Sequence, residues 1–261
     1  MKVQRHAQIL EHLRAHHVVS VEDLARALEV SASTVRRDLQ QLHLAGALTR
    51  VHGGAAPREH LQPHPVQAWE AQEDRTFDQA VEEERPDKEV VAAAAAEQVL
   101  DGEVVALDIG TTTAAVARHL RGRPITVVTN SLAVLDVLRD DATVELILLG
   151  GVVRRSYHSL VGMLTEDALR QVALDRVFLG TSGIDADGRV MDTTIVEVPV
   201  KRRLLAAARE VVVLADQRKL PGTGSYQVCG PEQVDMLVTN KGADAETLRA
   251  CQEAGVKVVC R

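Results

Sequence analysis

Aromatic residues are scarce in this 261-residue chain: one Trp, two Tyr and two Phe, 2% of the total. Proteins that grip single-stranded nucleic acid stack bases on aromatic platforms, and so few rings exclude that class. Cysteine is nearly absent as well. Cys229, Cys251 and Cys260 form no closely spaced pair, which excludes a disulfide scaffold and a cysteine-based zinc finger and fits a reducing cytoplasm. The ten histidines show no metal-ligand spacing, so neither a metal nor another cofactor is expected. Long hydrophobic runs are missing too: residues 90–96 and 146–153 are the longest, far short of a membrane span. The opening residues, MKVQRHAQIL, are charged and lack the apolar core of a secretory signal. The expectation is a cytoplasmic protein with no membrane partner.

What is present is ordinary globular material, 46% hydrophobic and 26% charged, with length for one or two domains. The net charge of −7 is unevenly placed. Residues 1–54 carry seven Lys/Arg against five Asp/Glu, whereas residues 70–89 carry nine acids against three bases. A mildly basic head on an acidic body suits a chain that meets an anionic partner at one end. Residues 55–69, AAPREHLQPHPVQAW, hold three of the eight prolines and read as an extended linker. The expected organisation is a head over 1–56, a linker over 57–85 and a body over 86–261.

In the body, apolar β-branched runs at 104–107, 125–129, 144–149, 177–179, 211–215, 236–239 and 256–259 read as strands. Helical stretches at 87–100, 112–121, 132–139, 197–209 and 245–254 lie between them. Near-continuous apolar strands alternating with helices predict a doubly wound, mostly parallel α/β domain covered on both faces.

Ligands of such sheets bind at the carboxyl ends of the strands. Gly110, Thr111, Thr112 and Thr113 follow the first strand and open a helix, where unpaired amides and three hydroxyls make an anion cradle. Thr129, Asn130 and Ser131 repeat the arrangement after the second strand. Gly150 and Gly151 permit close backbone approach after the third. Asp108, Asp185, Glu197, Lys201 and Lys219 are candidates to pair with hydroxyls and an anion, although Glu197 and Lys201 at i, i+4 are by themselves more often a surface pair.

In the head, Val3, Ala7, Leu10 and Leu13 follow helical spacing, and Leu24, Ala25 and Leu28 stripe a second helix. Ser31 is placed to cap a third helix over 32–44 whose core positions are Val35, Leu39 and Leu42. Opposite Val35 fall Ser33, Arg37 and Gln40, flanked by Arg36 and Gln41, groups that reach phosphates and base edges in a major groove. Residues 47–51 and a turn at 52–54 form a wing. An isolated Arg-Arg pair would be a solvated helix face, but helix, turn, helix and wing in this order point to DNA. The candidate contacts are Ser31, Ser33, Thr34, Arg36, Arg37 and Gln40 of the third helix, with Arg50 and His52 of the wing.

The segments VSASTVRRDLQQL (30–42) and LTRVHGGA (48–55), with the spacing between them, resemble the DeoR family of bacterial transcriptional regulators. In the body ALDIGTTTAAVARHL, VVTNS, LLGG, LGTSGID and the pair Glu197–Lys201 are similar to the same family. Ile109 stands where the family usually has Ser, and Gln217–Arg218 where small hydroxyl residues are usual. The resemblance implies a winged helix-turn-helix domain on a sugar-phosphate-isomerase-like sensor domain. It further implies a repressor of a carbohydrate operon that binds double-stranded operator DNA as a homo-oligomer and answers to a phosphorylated sugar or polyol. The alternative is an isomerase-type enzyme with an appended DNA module, for which Asp185, Glu197 and Lys219 would be the acid and base candidates. A metabolic isomerase has no need of the helix-turn-helix, so no catalytic residues are assigned.

Overall fold

The structure, a computed structural model, describes residues 5–6, 8–10, 12, 19–28, 30–44, 47–51, 54–57, 77 and 85–261. The chain divides into two compact units, Met1–Gln72 and Glu73–Arg261.

In the first unit, strand β1 (Val19–Ser20) leads into helix α1 (Val21–Ala27), followed by helix α2 (Ala32–Leu44) and strands β2 (Leu48–Val51) and β3 (Gly54–Pro57). β3 pairs antiparallel with both β2 and β1, which ties the wing to the residues that open α1. Val35, Leu39 and Leu42 face inward from α2, as their i, i+4, i+7 spacing requires, and meet Ile9, Val21, Leu24, Leu48 and Ala55. Of the four apolar positions expected on the first helix, Leu10 packs partly against this core. Val3, Ala7 and Leu13 lie outside the described residues.

The second unit opens with helix α3 (Arg85–Ala96), β4 (Val104–Leu107), α4 (Thr111–Leu120), β5 (Thr126–Thr129), α5 (Leu132–Leu138) and β6 (Glu145–Leu148). It continues through β7 (Val152–Arg154), β8 (Ser159–Val161), α6 (Met163–Leu169), β9 (Leu174–Gly180), β10 (Gly183–Ile184) and β11 (Val190–Asp192). Helix α7 (Val198–Ala207), β12 (Ala208–Leu214), β13 (Tyr226–Cys229), β14 (Met236–Thr239), α8 (Ala245–Glu253) and β15 (Lys257–Cys260) complete it.

Each of the seven apolar runs supplies one strand of a seven-stranded sheet ordered β15-β14-β12-β9-β4-β5-β6. Every neighbouring pair in it is parallel. One face buries Val105, Leu107, Val127, Phe178, Val212 and Leu214 against α3, α4 and α5. The small side chains Ala92 and Ala94–Ala96 let α3 approach closely.

Sequence neighbours β4, β5 and β6 run one way from β4, whereas β9, β12, β14 and β15 run the other. The order therefore reverses between β4 and β9, and the loops leaving these two strands part to open a crevice. Two small antiparallel pieces, β7–β8 and β10–β11–β13, were not anticipated; their strands of two to four residues are too short to show a period.

Candidate functional site

A cavity of about 70 Å³ opens at this reversal point, between the loop after β4 and the loop after β9. Gly110, Thr111, Thr112 and Thr113 form one wall. Gly110 holds φ at 127°, a conformation open essentially only to glycine, and so turns the chain from β4 directly into α4. No side chain caps that helix, whose first amides lack intrahelical partners and carry the positive end of the helix dipole. Thr113 Oγ1 donates to Gly110 O at 2.9 Å and fixes the turn.

Facing this wall are three cations and two carboxylates: Arg154, Lys201, Lys219, Asp192 and Glu197. Lys219 donates to Thr181 O at 2.7 Å. Burial pulls its pKa down to about 8, Asp216 opposing and the like charges of Lys88 and Lys201 adding to the effect. Lys201 contacts Asp108 Oδ2, donates to Gly180 O at 2.7 Å and lies 3.6 Å from Asp192. Burial works against its charge, but the two carboxylates outweigh burial and hold it protonated. Burial also raises the pKa of Asp108, with Lys201 pulling the other way. With three acceptors around its ammonium, Lys201 acts as a post that joins α7 to the ends of β4 and β9.

Glu197 is fully buried. Its Oε1 accepts from Arg154 Nη1 at 2.6 Å and from Ser159 Oγ at 2.7 Å. Its Oε2 has no hydrogen-bond partner among the described residues. Burial raises the pKa of this carboxyl, and Arg154 and Ser159 oppose the rise. A buried acceptor left open beside a cavity is chemically suited to a hydroxyl donor from a ligand.

The cavity therefore gathers Gly110, Thr111, Thr112, Thr113, Glu197, Lys201 and Lys219 of the expected residues, with Asp108 directly behind Lys201. The others lie outside its lining and do structural work. Thr129 Oγ1 donates to Leu107 O and accepts from Ser131 N. Ser131 caps α5 through Val134 N, and Asn130 Nδ2 holds Leu160 O at 3.0 Å. Gly150 O accepts from Thr165 Oγ1, while a Cβ on Gly151 would stand 2.2 Å from the same oxygen. Asp185 closes the β10–β11 turn, accepting from the Asp187 and Arg189 amides and pairing with the Arg189 side chain.

Sequence reasoning missed Arg154, Tyr157, Thr181, Ser182, Asp192, Thr193 and Thr194. The polar run after β11 was the available signal; Arg154 and Tyr157 gave none, since only the fold of β7–β8 aims them inward. Arg154 lies 5.0 Å over the Tyr157 ring. From the same loop, Ser156 O accepts from Phe77 N at 2.8 Å, and His158 lies 5.0 Å from the Phe77 ring. Phe77 also packs on Ala114 and Ala133, at the rim of a second cavity of about 350 Å³ that shares Thr111 with the first.

On α2, Ser33, Arg36, Arg37 and Gln40 are exposed. Ser31 Oγ accepts from Thr34 N at 3.2 Å and gathers the hydroxyls of Ser33 and Thr34 at 2.9 Å each. The one acid of the helix, Asp38, is turned inward, where Arg5 holds both its oxygens and His6 approaches to 3.2 Å. The outward face is thus polar and cationic. Arg50 lies on β2 opposite Ala55; His52 lies outside the described residues.

Comparison with known proteins agrees with this two-part reading. The DeoR-like helix-turn-helix domain matches residues 5–60, and the DeoR C-terminal sensor domain matches residues 83–241. The HTH-type transcriptional repressor GlcR of Bacillus subtilis is 33% identical over 91% of this chain and 88% of its own length. The glycerol-3-phosphate regulon repressor of Escherichia coli K12 is 34% identical over 92% of this chain and 91% of its own. Among solved structures, a probable sor operon regulator from Shigella flexneri aligns with 64% of this chain and 89% of its own at 14% identity and TM-score 0.42. With both domains matched in order along nearly the whole chain, this protein belongs to the DeoR family of transcriptional regulators.

Proposed function

We propose that this chain is a homo-oligomeric cytoplasmic repressor of a carbohydrate operon, released from operator DNA by a phosphorylated sugar or polyol. The observation that carries the reading is the chemistry of the switch-point cavity. An uncapped helix start on one wall and the Lys219 ammonium facing it suit a phosphate, while the open oxygen of Glu197 suits a hydroxyl. The names of the two relatives, a repressor and a glycerol-3-phosphate regulon repressor, support the same conclusion. Effector contacts are assigned to Thr111, Thr112, Thr113, Glu197 and Lys219. DNA contacts are assigned to Ser33, Arg36, Arg37 and Gln40, with Arg50 and His52 from the wing.

An isomerase reading draws on Glu197, whose raised pKa suits a general acid. Against it, one oxygen of that carboxyl is already held by Arg154 and Ser159, and a sensor gains from holding its ligand rather than converting it.

The test uses an operator selected by the protein from a random DNA pool, with anisotropy read against a panel of sugar and polyol phosphates, their unphosphorylated forms and inorganic phosphate. A phosphorylated member should weaken operator binding about 5–150-fold, the usual range of allosteric coupling. Thr112→Val should blunt that response and leave ligand-free binding intact. A wild type unmoved by every phosphate ester defeats the reading.

A further inference from the structure

One edge of the parallel sheet is apolar and open among the described residues. β6 is the terminal strand, and no described strand pairs with its outer side. Parallel sheets are normally covered on both faces, yet Ile147 and Leu148 are each 38% exposed. The amides of Glu145 and Leu149 donate inward to β5, so by alternation the amide and carbonyl groups of Leu146 and Leu148 point outward. Val152 and Val153 on β7 and Met163 and Leu164 at the start of α6 are exposed as well, the last two at 74% and 68%. These segments adjoin. Val152 pairs with Val161, Thr165 Oγ1 reaches Gly150 O, and a Cβ on Gly162 would lie 3.9 Å from Val152.

We propose that this surface binds a second copy of the chain, the two β6 strands pairing antiparallel about a two-fold axis at Ile147. The inference deepens the homo-oligomer reading above by naming its surface. Two identical edges fit each other: Leu146 of each copy falls opposite Leu148 of the other, and their outward amides and carbonyls are exchanged reciprocally. The two seven-stranded sheets then become one. Apart from Glu145, whose carboxylate accepts from Thr126 Oγ1, the exposed side chains here are uncharged, and six adjoining large apolar side chains left bare make a patch of the kind that marks a protein–protein contact. An edge of this kind left open would invite aggregation.

The full chain is tested by sedimentation and by cross-linking. Wild type should sediment as a dimer or a larger even assembly. The double variant Ile147→Lys/Leu164→Glu should fall to half that mass or less and keep its circular dichroism spectrum and a cooperative melt, because both side chains are exposed in the single chain. In a Cys260→Ser background, Ile147→Cys should form a disulfide-linked dimer on mild oxidation. A non-hydrogen-bonded antiparallel pair brings Cα atoms to about 4.5 Å, within disulfide reach. The exposed position Glu97→Cys is the control. A monomeric wild type overturns the homo-oligomer reading and this surface together. A double variant of wild-type mass, or cross-linking no greater than the control, overturns the surface alone.

Discussion

Arg154 and Glu197, 43 residues apart, meet at 2.6 Å with both side chains almost wholly buried. The pair fastens the β7–β8 hairpin to the start of α7. It also decides which oxygen of Glu197 is spent on structure and which is left for the cavity.

Removing one partner of such a pair strands a buried charge. Arg154→Leu should cost about 3–5 kcal/mol in urea unfolding, and Arg154→Leu/Glu197→Leu should recover most of it. A single-variant loss below about 1 kcal/mol would mean that solvent reaches Glu197 and that the pair is not structural.

If Lys219 meets the effector's phosphate as proposed, effector binding should have a pH limit. Its pKa is depressed to about 8, so the ammonium that faces a phosphate is lost as pH rises through that value, while the phosphate remains a dianion from pH 7 to 9. Affinity should therefore fall above pH 8 in wild type and stay level to pH 9 in Lys219→Arg. Folding stability runs the other way. The native state gives up its proton before the unfolded chain does, so this group makes stability rise between pH 8 and its unfolded pKa of about 10.4. Calorimetric titration across this range checks the first trend and urea unfolding the second.

Phe77 is anchored on the loop that carries Arg154 and Tyr157 toward the cavity. In Phe77→Ala, effector affinity should change less than about threefold while the effector's leverage on operator affinity falls by 1 kcal/mol or more, within the usual 1–3 kcal/mol of allosteric coupling. Anisotropy with and without effector reports the leverage, and calorimetry reports the affinity. Full leverage in the variant would mean that Phe77 takes no part in coupling effector to operator.

Arg37→Ala and Asp38→Asn should separate binding from folding on adjacent residues of α2. The first should weaken operator binding by about 1–3 kcal/mol with an unchanged melting curve. The second should lower head stability. Burial works to raise the Asp38 pKa, but the bonds from Arg5 and His6 overcome it and hold the carboxyl below its ordinary range. Its contribution is present above the unfolded carboxylate pKa and is lost as pH falls through the depressed native value. Equal melting curves for Asp38→Asn and wild type at neutral pH would dismiss that role.

The parallel sheet was legible because its inner strands, buried on both faces, must be apolar throughout and its edge strands β6 and β15 are apolar as well, so that all seven runs from 104–107 to 256–259 became its strands. The cavity was half legible. The wall at Gly110–Thr113 announces itself as a glycine and hydroxyls between a strand and a helix. Thr129–Ser131 carries the same local signature, yet its side chains turn back to hold Leu107, Leu160 and the start of α5. Local pattern does not say which carboxyl end lies beside the reversal of strand order; only the order itself does. Arg154 and Tyr157 were invisible for a related reason, since their direction is set by a hairpin too short to leave a period.

That hairpin belongs to neither larger sheet. Among the described residues β7 and β8 pair only with each other, apart from a single bridge between Ser131 and Ser159. Its loop holds His158 at a φ of 51°, in the left-handed region a non-glycine residue enters at a cost of about 1–3 kcal/mol. One arm ends in Arg154 at the cavity, the tip carries Phe77, and the outer flank exposes Val152 and Val153. Leu160 N donates to Asn130 O and His158 O accepts from Leu132 N, both at 2.8 Å, so the hairpin is tied to the loop after β5 rather than to the ladder itself. The carboxyl of Glu197 is thus tied to a single hairpin that also meets Phe77 and shows an apolar flank, three neighbourhoods joined by residues 152–161 of the chain.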